Sequence, residues 1–121
     1  MNVLITGGAS GLGKSITENL AENEKNKIYF TYSKSLEKAK IIEEKFENVV
    51  SIKCDFSDNT ELLSLQDQMK EIDLDILVNN AYSGKINQKH FHKIPPSDFL
   101  KDFKNNIIPT ILITQEAIKI F

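Results

Sequence analysis

Thr6-Gly7-Gly8-Ala9-Ser10-Gly11-Leu12-Gly13 follows the apolar run Val3-Leu4-Ile5 and precedes a segment in which Ile16, Leu20 and Ala21 share one helical face. Glycines let a chain turn sharply and bring its backbone close to a ligand, and the free amides and positive end of the following helix favour a phosphate or pyrophosphate. The position between a strand and an amphipathic helix gives this stretch more weight than a glycine-rich turn alone.

Working outward, short β-branched runs alternate with helical patterns, the habit of βαβ units around a parallel sheet. Strands are predicted at residues 2–6, 27–32, 49–54 and 74–79, and the continuous apolar character of the first and last predicts strands covered on both faces. Helices are predicted between them. Residues 12–24 form the first, residues 35–46 the second with Leu36, Ala39 and Ile42 on its inner face, and Asp58 with Glu61 opens the third. The expected fold is an α/β doubly wound parallel sheet of Rossmann type with about four strands, forming one domain over residues 1–121, with its ligand beyond the carboxyl ends of the strands.

Two chemistries remain open at the glycine loop. Gly8-Ala9-Ser10-Gly11-Leu12-Gly13-Lys14-Ser15 is also a full G-x-x-x-x-G-K-[ST] match, in which Lys14 would meet the outer phosphates and Ser15 a magnesium ion. Such a site normally needs an Asp at the end of another apolar strand. Ile76-Leu77-Val78 is followed instead by Asn79 and Asn80, and Asp55 comes after Lys53, which weakens the preceding apolar run.

The chain has 121 residues, 40% of them apolar, enough for a single core. Fifteen basic residues against seventeen acidic leave a net charge of −2, and no basic tract stands out to track a nucleic acid backbone. Every basic residue is lysine, so an anion site must use ammonium groups, backbone amides or helix ends rather than a planar guanidinium. The single cysteine, Cys54, excludes an internal disulfide and a cysteine-rich metal cluster, which fits the reducing cytoplasm. Met1 leads into an apolar run without a basic leader, and the apolar stretch 107–113 is far below membrane-spanning length, so neither secretion nor a membrane anchor is expected.

Thr6 to Gly13 resembles the TGxxxGxG cofactor loop of the short-chain dehydrogenase/reductase family, and Asn79-Asn80-Ala81 resembles its NNAG element after the fourth strand. The resemblance covers essentially the whole chain. It implies an oxidoreductase moving hydride between a nicotinamide cofactor and a small carbonyl or alcohol substrate, with no metal. The implied cofactor contacts are Gly7, Ala9, Ser10, Gly11, Leu12 and Gly13 in the loop, Asp55 and Phe56 after the third strand, and Asn80 and Ala81 after the fourth. Asn106, in Lys104-Asn105-Asn106-Ile107-Ile108, is similar to the helix asparagine of the catalytic tetrad.

The stretch Tyr32-Ser33-Lys34-Ser35 ends the second strand without an acidic residue, where an acid would hold the ribose hydroxyls of NAD(H). Ser33 and Lys34 therefore point to NADP(H) in preference to NAD(H), with the 2′-phosphate met by hydroxyl and ammonium.

Three departures from the family pattern stand out. Tyr82 occupies the glycine position of NNAG, where a loop or lid aromatic is the expectation, and Pro109 follows shortly after Asn106, where it should interrupt the helix. The family's Tyr-x-x-x-Lys pair and upstream Ser, which transfer and tune the proton, have no counterpart here. The expectation is an amino-terminal half, inactive alone, that associates with itself through the isoleucine-rich last helix. A non-catalytic nucleotide-binding fragment or a P-loop phosphotransferase is the alternative.

Overall fold

The computed structural model describes residues 1–121. Four parallel strands, β1 (Asn2–Ile5), β2 (Lys27–Tyr32), β3 (Val49–Lys53) and β4 (Ile76–Val78), lie in the order β3-β2-β1-β4. Leu4 pairs with Tyr29 on one side and Leu77 on the other. The helices are α1 (Gly11–Ala21), α2 (Leu36–Lys45), α3 (Asn59–Lys70), α4 (Pro96–Asp102) and α5 (Ile108–Ile120).

Side-chain alternation along the strands builds one core on each face of the sheet. Val3, Ile5, Ile28, Phe30 and Val49 pack with Ala21 of α1 and with Ala39 and Ile42 of α2. Leu4 and Ile52 face the other way, onto Leu62, Leu65 and Met69 of α3 and Ile113 and Ala117 of α5. The expected doubly wound α/β architecture is therefore present, and its strand order reverses between β1 and β4. Open sheets of this kind receive ligands at such a switch point.

Differences from expectation have identifiable physical causes. Helix α1 stops at Ala21 rather than residue 24, because Asn48 donates its side-chain amide to the carbonyls of Ala21 (3.0 Å), Asn23 (3.3 Å) and Asn26 (2.9 Å), and Asn26 donates to that of Leu20 (3.0 Å). These bonds satisfy carbonyls a longer helix would have used itself. Leu36, expected on the inner face of α2, is the helix's first residue and is 46% exposed. Strand β4 is shorter than expected and only half-buried on both faces, since it lies at the sheet's edge with β1 as its one neighbour. No helix is long and apolar enough to cross a membrane.

Candidate functional site

Beyond the carboxyl ends of the strands the β1–α1 loop is held from both sides. From β2, Thr31 accepts at its hydroxyl from the amide of Gly7 (2.9 Å), and its carbonyl accepts from the amide of Gly8 (2.9 Å). From the β4 side, Asn80 donates its side-chain amide to the carbonyls of Thr6 and Gly7 (both 3.1 Å), while the Thr6 hydroxyl accepts from the amides of Asn80 and Ala81 (both 3.0 Å). Thr17, on α1, donates to the carbonyls of Gly8 (3.0 Å) and Gly13 (2.9 Å). Three buried threonines and one asparagine thus fix a loop with no bulky side chain of its own.

Three glycines, Gly7, Gly8 and Gly13, are required by this packing. Gly7 has φ +68°, and a Cβ there would stand 2.9 Å from the Ala81 Cα. At Gly13 a Cβ would overlap the carbonyl oxygen of Gly7 and the side-chain amide of Asn80. Helix α1 is drawn onto the loop as a result. Its N-cap Ser10 makes no capping hydrogen bond, and its first turn carries no acid. That end of α1 opens, uncapped and electropositive, onto a cleft of about 610 Å³.

The cleft brings together Gly7, Ala9, Ser10, Leu12 and Gly13 from the loop, Ser33 and Lys34 from the tip of β2, Asp55 and Phe56 after β3, and Asn80 and Ala81 after β4. Gly11 lies outside the lining at the exposed start of α1, with φ +54°. Lys14 and Ser15 are also outside it, and the Ser15 hydroxyl turns back toward the Gly11 carbonyl (3.5 Å). A P-loop site would need both in the cleft. Asp55 accepts from the amide (2.9 Å) and hydroxyl (2.7 Å) of Ser57, and these bonds, aided by Lys34 and Lys53 nearby, hold its carboxyl below the usual carboxylate range.

Asn106 is buried and does not line the cleft. Its side chain instead accepts from the amide of Ser83 (2.6 Å) and donates to the carbonyl of Ser83 (3.1 Å), pinning the segment that follows β4. The interruption expected from Pro109 takes the form of a π turn, Phe103–Ile107, which runs between α4 and α5 and contains Asn106. Lining residues that the sequence did not single out include Thr31, Ser83, Lys85, Lys101 and Asn105. A threonine between Phe30 and Tyr32 in β2 was the one local signal among them; the others depend on how the segment after β4 folds.

The family model for short chain dehydrogenase matches residues 1–121. The chain belongs to that family. Among solved short-chain dehydrogenases, one from Serratia marcescens is 27% identical with a TM-score of 0.82, the match covering 98% of this chain and 49% of that one. A short chain dehydrogenase from Burkholderia cenocepacia, solved in complex with NADP, is 28% identical with a TM-score of 0.81, covering 97% and 49%. An NADP-dependent 3-hydroxy acid dehydrogenase of Schizosaccharomyces pombe is 38% identical over 85 residues, 65% of this chain and 33% of its own length. The chain therefore spans about half the length of the solved short-chain dehydrogenases and a smaller share of the curated one.

Proposed function

We propose that residues 1–121 form the cofactor-binding part of a cytoplasmic oxidoreductase that moves hydride between NADP(H) and a carbonyl or alcohol. The observation that carries the cofactor preference is the tip of β2, which presents Ser33 and Lys34 to the cleft and no carboxylate. The NADP named for the Burkholderia and Schizosaccharomyces relatives supports the same choice. The residues fit the group. The glycine cradle and uncapped start of α1 suit the diphosphate, Asp55 and Phe56 the adenine, Ser33 and Lys34 the 2′-phosphate, and Asn80 and Ala81 the approach to the nicotinamide.

When bound, the nicotinamide ring donates or accepts the hydride. The chain's own residues bind and orient. Asn106 holds Ser83 and through it the wall beyond β4; an amide is neither acid nor base at neutral pH, so this part by itself binds cofactor without turning over substrate.

Titration of the chain with NADPH and NADH tests the proposal. NADPH should bind about tenfold more tightly, the order of one charge-assisted contact, and Lys34→Ala should bring the two affinities together. Tighter NADH binding that is indifferent to Lys34→Ala overturns the preference, and no binding of either overturns the assignment.

A further inference from the structure

The cleft continues past Ala81 into an adjoining hollow of about 1130 Å³, and Ser83, Gly84, Lys85, Lys101 and Asn105 line both spaces. This seam lies on the β4 side of the glycine loop, opposite the Ser33–Lys34 tip. Lys101, in the last turn of α4, and Asn105, in the π turn, stand four residues apart, the spacing that puts two side chains on one helical face. Lys85 meets them from the segment after β4.

Neither Lys85 nor Lys101 is in an ion pair. The acids nearby do not cancel them. Asp98 is engaged by Lys89 (3.8 Å) and by the Asn87 side-chain amide (3.1 Å), and Asp102 lines the outer hollow but not the cleft. Two unpaired ammonium groups and an amide therefore line the place where the cleft opens out, with the carboxylates of Asp98 and Asp102 in the outer hollow. In a chain without arginine, an ammonium pair with an adjoining amide is one available means of holding an anion.

We infer that the substrate carries a carboxylate and that Lys101, Lys85 and Asn105 bind it, which places the reacting carbonyl or alcohol between this group and the Asn80–Ala81 wall. The inference rests on the oxidoreductase assignment of the cleft. The same cations could instead serve the cofactor's diphosphate, and the experiment separates the two sources.

Acetoacetate and its uncharged isostere acetoacetamide are titrated into the 121-residue chain by NMR, with and without saturating NADP⁺; the oxidised cofactor cannot reduce either ketone, so the probes persist. Acetoacetate should bind roughly tenfold more tightly than the amide, shifting the Lys101 and Asn105 signals. Lys101→Gln should remove that gap and leave NADP⁺ affinity within about twofold, and Lys85→Gln should do the same in part. Equal affinity for the two probes, or a loss of NADP⁺ affinity as large as that for acetoacetate, overturns the inference. Discrimination between the probes in a chain that fails to bind NADP⁺ would uphold the anion site and overturn the cofactor assignment.

Discussion

The site depends first on the Cβ atoms that its glycines lack. Gly13 brings α1 against the Gly7 carbonyl, and that carbonyl is also held by Asn80 (3.1 Å), so it cannot retreat without breaking a second contact. Gly13→Ala should therefore destabilise the chain by about 3 kcal/mol, the upper part of the range for forced overpacking, and abolish NADPH binding. Gly11 has open space around it, and Gly11→Ala should cost about 1 kcal/mol through its left-handed φ alone. Urea unfolding of both variants checks this; equal losses would remove the collision as the cause. Cys54 shows the opposite use of burial. Burial first, then the charges of Glu61, Asp55 and Asp58, push its thiol from 9.0 up to about 12. The unfolded chain ionises first, so the thiol's contribution to stability is complete below pH 9 and is lost as the pH rises towards about 12. A disulfide reagent at pH 8 should leave the folded chain unmodified and react on addition of denaturant, and Cys54→Ala should flatten part of the alkaline decline. Ready modification of the folded chain would show that the thiol is not held this way.

Among the elements, the run from α4 through the π turn to α5 does the most unusual work. The amide of Ile108 reaches back to the carbonyl of Phe103, five residues away, and Pro109 has no amide to offer the carbonyl of Asn105. The wider turn accompanies an inward placement of Asn106, whose two bonds to Ser83 hold the segment that follows β4. Asn106→Ala should cost about 2 kcal/mol, one for each bond lost, and should strip amide-exchange protection from Ser83 while leaving that of β1 unchanged. Unaltered exchange at Ser83 would assign the asparagine some other role. Pro109 and Asn106 were both legible in the sequence, as a helix breaker and as a family match, but their joint product was not, because Ser83 lies 23 residues away and no local pattern marks it. The same division runs through the whole chain. Apolar runs such as Val3-Leu4-Ile5 and the glycine turn after them impose their structure locally and were read correctly. The end of α1 is decided by Asn48 in the next βα unit, and the seam at Lys101 by tertiary folding of the loop above it, so neither could be read from neighbours in sequence.

For the whole molecule, the accessible surface is 7802 Å², whereas a compact monomer of this mass is expected to expose about 6,600 Å². The excess of roughly 1,200 Å² exceeds the share that each partner contributes to an ordinary protein interface, about 800 Å². Its position is identifiable. Both β3 and β4 are edge strands; on β3 Glu43 accepts from the outward amide of Ser51 (2.6 Å), whereas β4 has no strand beyond it. Next to it, α5 buries Ile113 and Ala117 while Ile108, Ile111, Ile118 and Phe121 remain exposed. An unpaired apolar edge beside an apolar helix face favours association, so the chain should sediment at micromolar concentration as dimers or tetramers, with Ile111→Glu combined with Ile118→Glu shifting it towards monomer. Polydisperse material unaffected by the double substitution would place the association on β4 instead of α5. A clean monomer of the unsubstituted chain would refute self-association through either surface.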